Sequence, residues 1–499
     1  MQQKNISVLT RRDFIRQAAC AALGTAALTA TLRDLRLMNA AVAQSNITDY
    51  KALVCIFLAG GNDSNNLIIP TIPSEYANYA AIRTPILAIP LSGGPYNVLP
   101  ISPINSDGHE YGLHPACPEL VTLFNESKLA ILFNTGTLVY PMTRADYQAG
   151  ILQKPPQLFS HADQVTQWQT SIPDQPALTG WGGRCADLLA SVQPNAPISL
   201  SVSLNGANTF EVGNLVSQYA VSPSGAIALS GFDTARKTAL TNLLALSSVN
   251  LQTRAYSDVV QHAIATGDLL NNAITNTMAA NYFTNAFPST ITPPTGGNAF
   301  TPSSPKLSDQ LKMAARLIEA GYRDAGGISK GFGMKRQIFF CQVGGYDTHT
   351  GQTVGTNPDQ VVRGQHANLL AELSQCMFAF QRAMEQLNGL YPGISSKVTV
   401  FTSSDFGRTF PSNGQGSDHG WGSHHLIMGG AVQGKRTYGK FPALTVNGPD
   451  DTSTGRWIPT TACDQYFATL ASWFGVDAGN LATVFPNLGR FATPNLGFI

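Results

Sequence analysis

Four stretches of the chain, residues 52–58, 129–133, 337–343 and 397–402, are dominated by apolar residues and show no sustained apolar–polar alternation. Runs of that kind read as strands covered on both faces, as in a parallel sheet. A helical pattern occupies 115–127 ahead of the second run, and a longer one fills 360–387 between the third and fourth. Strands joined through helices predict an α/β fold, a doubly wound and mostly parallel sheet with helices on both faces.

The pattern changes over about 197–305, which reads as an insertion. Residues 197–232 alternate, predicting a small antiparallel excursion or cap, and 233–283 carry Leu and Ala at helical spacing. The Pro-, Thr- and Gly-rich stretch 288–297 then reads as a surface loop. A helix-like segment over 461–474 closes a single domain spanning 44–499.

The first 43 residues read as an address. Thr10-Arg11-Arg12-Asp13-Phe14-Ile15 precedes an Ala-rich run over 18–32 and then Ala41-Val42-Ala43. A basic start, a short apolar stretch and a small-x-small site predict export by the twin-arginine translocase to the periplasm or the medium. The run is too short and too rich in Ala and Thr for a comfortable membrane span, and no other stretch approaches one.

Composition narrows the classes. Of 499 residues 43% are apolar and 12% charged, which excludes a disordered, coiled-coil or collagen-like chain. Net charge is +1, and the first 43 residues carry six basic against two acidic groups, leaving the remainder at −3. No basic surface for nucleic acid is implied. Six cysteines lie beyond the leader, scattered and without a Cys-x-x-Cys pair. Cys55 and Cys341 sit in strand-like runs and are expected to be buried thiols; spacing excludes a zinc ribbon.

Ligands of open α/β sheets bind beyond the carboxyl ends of the strands. Three of the four apolar runs end in Gly- or Ser-rich turns that carry Asp63, Asp347 and Asp405 to that edge. His349 follows Asp347 by two, and one loop, Ser417-Asp418-His419-Gly420-Trp421-Gly422-Ser423-His424-His425, holds three of the nine histidines. Carboxylates gathered at one edge repel unless a cation neutralises them, and imidazole is the usual companion ligand of zinc. The alternative is that each Asp caps a helix or an Asx-turn. His109, His114, His262 and His366 are assigned to surface or core packing. Ser160, in Phe159-Ser160-His161, either presents a hydroxyl at a helix N-terminus or is an ordinary N-cap. Gly327-Ile328-Ser329-Lys330-Gly331 spells a nucleophile elbow but lies between a helix and a strand, the wrong order.

With these residues noted, the chain resembles an exported bacterial family, domain of unknown function 1501. The resemblance rests on Phe57-Leu58-Ala59-Gly60-Gly61-Asn62-Asp63, Phe159-Ser160-His161, Gly180-Trp181-Gly182-Gly183-Arg184, Gly344-Gly345-Tyr346-Asp347-Thr348-His349, Ser404-Asp405-Phe406-Gly407-Arg408-Thr409, Asp418-His419-Gly420 and Phe485-Pro486-Asn487. More distantly that family resembles the alkaline phosphatase and sulfatase superfamily. The resemblance implies an alkaline-phosphatase-like fold and a metal-dependent hydrolase of phosphate or sulfate esters, small or polymeric. The rival is a non-catalytic envelope or binding protein that keeps the fold and a structural ion. The superfamily resemblance makes Asp63 the first-strand metal ligand and places Ser160 in the nucleophile region. Asp347 with His349, Asp405, and a histidine from His419, His424 or His425 would complete one or two sites for zinc, with manganese, calcium or magnesium as alternatives. Arg408 would stabilise charge on the ester oxygens or form a structural ion pair. The chain departs from the superfamily where Phe406 follows Asp405 and only Thr348 separates Asp347 from His349. The sulfatase nucleophile pattern is absent, so formylglycine chemistry is not expected.

Overall fold

The computed structural model describes residues 47–225, 233–246, 250–275, 287–324 and 331–499. The leader at 1–43 and the elbow-like 327–331, apart from Gly331, lie outside the described residues.

Strand β1 (Lys51–Leu58) is the centre of the molecule; Ala52 to Leu58 are each 3% exposed or less, because strands flank it and helices cover both its faces. In chain order there follow β2 (Ile68–Pro70), β3 (Leu99–Ile101), β4 (Tyr111–Leu113), β5 (Leu129–Gly136), β6 (Ser201–Ser203), β7 (Tyr219–Ala220), β8 (Arg336–Val343), β9 (Val398–Ser404), β10 (Ser423–Gly429), β11 (Thr437–Tyr438) and β12 (Thr461–Ala462). The main sheet runs β11-β5-β10-β9-β1-β8-β6-β7, with β12 also on β5, while β2, β4 and β3 form a small antiparallel sheet. The result is a mixed α/β protein with a large, mostly parallel sheet. Its one antiparallel member among the described residues is β10, between β5 and β9.

Register positions the chemistry. Leu58 pairs with Val343 of β8 and with Ser404 of β9, so the three carboxyl ends are level. The loops after them meet at one edge. Because β10 runs the other way, its first residue, Ser423, pairs with Thr135 near the end of β5, which brings the 405–422 connection to the same edge.

Trp168, Trp181 and Phe401 pack around Cys55, Phe57 and Phe340 under one face, Trp181 stacking on Phe467 at 4.5 Å. Helices Leu307–Tyr322 and Gln365–Leu387 pack on one another, and Pro118–Asn125 joins them. Burial of these long aromatic and aliphatic side chains, each about 1.5–3 kcal/mol, holds the sheet. Cys55, Cys117, Cys185, Cys341, Cys376 and Cys463 are all buried free thiols. No helix among the described residues is long and apolar enough to cross a membrane.

Two expectations change. The alternating segment after residue 197 does not form an antiparallel unit of its own: β6 pairs parallel with β8 and β7 with β6, so the segment extends the main sheet, and the three residues of β6 are all buried. Residues 423–429 are a strand rather than the end of a loop, which withdraws two of the clustered histidines into the core.

Candidate metal centre

Helix His161–Thr170 begins with Ser160 as N-cap, and the preceding turn holds Phe159 at φ 75°, a left-handed conformation uncommon for a residue with a side chain. That turn sets His161 over the sheet edge. Its Nδ1 faces Asp405 Oδ2 at 2.7 Å, one residue past β9, while Gly60 N donates to Asp405 Oδ1 at 3.0 Å. Gly60 has φ +117°, and a Cβ there would lie 2.3 Å from Asp347 N, so the loops after β1 and β8 close on each other only over glycine.

Asp347 is the hub. His161 Nε2 stands 3.5 Å from its Oδ2, and His349 Nε2 and His419 Nε2 stand 3.2 and 3.3 Å from its Oδ1. One ligand atom each of His161, Asp347 and His419 lie within 4.8 Å of one another. Arg408, bridged to His419 across an antiparallel β-bridge, donates to Asp347 Oδ1 at 2.7 Å.

Each ring is held from behind. His419 Nδ1 lies 2.7 Å from the Phe159 carbonyl, His349 Nδ1 lies 2.9 Å from Asp418 Oδ1, and His161 Nδ1 faces Asp405. Those acceptors require a hydrogen on every Nδ1, so each neutral ring turns a bare Nε2 toward Asp347. His349 Nε2 and His419 Nε2 are only 2.8 Å apart. Two lone pairs do not face each other at that distance; a proton or a cation must stand between them. Phe406 packs against His161 and His419 with centroids at 4.8 and 4.6 Å, fixing both rings.

The electrostatics are divided. The hydrogen bond to Asp405 raises the His161 pKa, with the nearby carboxylate charges adding, against burial and Arg408. Burial lowers that of His419, helped by His161 and Arg408. Burial would raise Asp347, but the Arg408 guanidinium outweighs it and holds the carboxyl below its ordinary value.

Zinc bonds of about 2.0–2.1 Å give ligand–ligand edges of about 3.3 Å. His349 and His419 stand 3.2 and 3.3 Å from Asp347 Oδ1, whereas the 3.5 Å to His161 is measured from the other oxygen, Oδ2, and His349 and His419 are only 2.8 Å apart. The groups that gather closely enough to share one ion are His161, Asp347 and His419. Side-chain exposures of 44% for Asp347, 40% for His349 and 35% for His161 leave the cluster open to solvent. A cavity of about 860 Å³ borders the same loop through Gly344, Gly345 and Gly351, but none of the four cluster residues lines it.

Other expected residues lie elsewhere. Asp63 is fully buried against Arg83, Gln352 and Asn65, and Arg83 also bonds the carbonyls of Thr409 and Phe410. Its oxygens are committed to this knot, which corrects its assignment as a metal ligand. Asp405 holds His161 from behind instead of facing the cluster. His424 and His425 are strand residues buried on opposite faces of the sheet, against Phe441 and Trp168 respectively. Burial pushes both down to about 3, so both are neutral core rings. Arg408 is spent on Asp347 and the carbonyls of Gly60 and Ser417. Ser160 Oγ donates to Asp163 Oδ2 at 2.7 Å. His114 and His366 are buried and His109 pairs with Glu75 at 2.6 Å, as packing and surface residues; the side chain of His262 lies outside the described residues. His161 escaped the sequence reading because it comes from a helix start and not a strand end. Its signal was the Phe159-Ser160-His161 motif itself.

The fold and this cluster define an α/β protein with imidazole and carboxylate groups gathered at the carboxyl edge of its sheet. Residues 50–466 match the family described as protein of unknown function, DUF1501, and the chain belongs to that family. No curated protein matches it.

Proposed function

We propose that this is an exported, metal-dependent hydrolase-like protein acting on phosphate or sulfate esters. Its divalent cation would be held by Nε2 of His161, His349 and His419 and an oxygen of Asp347. The observation that carries this reading is the set of three imidazoles, each tied through Nδ1 to an oxygen acceptor and each turning Nε2 to one carboxylate. Three nitrogens and one oxygen suit zinc better than manganese, and far better than calcium or magnesium, which prefer oxygen. A cation there would polarise an ester oxygen and lower the pKa of water.

The remaining residues fit that role. Asp405, Asp418 and the Phe159 carbonyl orient the rings, and Arg408 orients Asp347. The Ser160 proton is directed at Asp163, which leaves the hydroxyl lone pairs for an ester and keeps Ser160 as the candidate nucleophile. An alkaline-phosphatase-like fold is supported by the parallel strands whose level ends supply these loops. Export to the periplasm or the medium rests on the paired arginines of the leader.

A second reading, a non-catalytic envelope or binding protein in which a structural ion is not required, is favoured by the Arg408–Asp347 pair, which neutralises that carboxylate without a metal. Two measurements decide. Elemental analysis of protein purified without added metal is expected to find about one divalent ion per chain, lost in His161→Ala and Asp347→Asn. Turnover of aryl phosphates and sulfates with zinc, manganese, calcium or magnesium separates enzyme from binder. Protein that retains no divalent ion, or turnover indifferent to Asp347→Asn, overturns the proposal.

A further inference from the structure

The ester chemistry needs a cationic group for the tetrahedral oxyanion, and Arg408 is not available for it. Its buried guanidinium is occupied by Asp347, Gly60 and Ser417. A second arginine stands beside the cluster. Arg456 Nε donates to the His419 carbonyl at 2.8 Å, and its guanidinium lies over the Phe159 ring, 4.3 Å from the centroid. Both supports belong to the metal cluster, since the Phe159 carbonyl is the acceptor for His419 Nδ1.

Resting on the metal-centre reading, the geometry points to Arg456 as the residue that binds the oxyanion of the substrate, a phosphate or sulfate group, through its two Nη groups. Nε is the only side-chain atom of Arg456 with a hydrogen-bond or ion-pair partner among the described residues. The guanidinium is therefore held by the Phe159 ring and one carbonyl, with its terminal donors open, which suits bidentate recognition of two oxygens. The left-handed φ of 75° at Phe159 supports this, because one strained residue supplies both the ring under Arg456 and the carbonyl behind His419. Asp451 anchors the approach by accepting from the backbone N–H groups of Ser453, Gly455 and Arg456 at 3.1, 2.8 and 2.9 Å.

The test is calorimetric titration of inorganic phosphate, and separately of sulfate, into the full chain and into Arg456→Gln and Arg456→Lys, with zinc content measured on the same samples. The expected result is unchanged zinc and a loss of at least about tenfold in oxyanion affinity for Arg456→Gln, the scale of a charge-assisted bond. Arg456→Lys should recover only part of it, having charge without the fork. A preference of the wild type for phosphate or for sulfate distinguishes the two esters. Equal affinity of wild type and Arg456→Gln, or no binding of either anion by the wild type, overturns the assignment. Zinc loss common to all samples counts against the metal centre instead, and the same titrations on the metal-free proteins still decide Arg456.

Discussion

His161 Nδ1 and Asp405 Oδ2, 244 residues apart in the chain, stand 2.7 Å from each other and join the first turn of a helix to the end of β9. In the neutral ring the carboxylate keeps the proton on Nδ1 and leaves Nε2 as the free nitrogen. Asp405→Asn leaves an oxygen for Gly60 N but turns an NH₂ toward Nδ1, which favours the opposite tautomer. Zinc affinity is expected to fall by about 10–100-fold with the fold intact, measured by competition against a chelating dye.

Asp63 answers differently. With both partners fully buried, Asp63→Asn strands the Arg83 charge in the core and is expected to cost about 3–5 kcal/mol. Urea unfolding reads that loss, and zinc content should stay at the wild-type level. Lost zinc with unchanged stability would return Asp63 to the ligand set.

Gly61 has φ +85°, and a Cβ there would meet the Phe406 ring at 2.5 Å. Gly61→Ala therefore pushes the ring that packs against both His161 and His419. A destabilisation of about 1–3 kcal/mol is expected, together with weaker zinc binding; a crystal structure showing Phe406 unmoved would contradict it.

Glu211 supplies a pH signature away from the cluster. Burial pushes its carboxyl from 4.5 up to about 8. Between those values the folded chain holds a proton that the unfolded chain has released, so the Glu211 contribution is complete below 4.5 and is lost as pH rises through 8. The slope is about 1.4 kcal/mol per pH unit. In Glu211→Gln that slope should vanish, so stability relative to wild type improves from pH 5 to pH 8 in denaturant titrations.

The four long apolar runs were legible because strands covered on both faces need apolar side chains at successive positions, and all four became strands of the main sheet. β6 and β7, of three and two residues, are too short to carry any period. The strand ends did bring Asp347, His349 and His419 together. Nothing local separates Asp63 from Asp347, since each follows its strand by a few residues. The difference is Arg83, on a helix whose sequence has no visible link to the sheet edge. The pair His424-His425 looked like loop chemistry for a similar reason: only its place between β5 and β9 makes it core.

The six described thiols form no cross-link. Each of the six is buried, so among the described residues the fold is closed by packing and hydrogen bonds alone, and a thiol reagent added from solvent should label these positions only as fast as the chain opens.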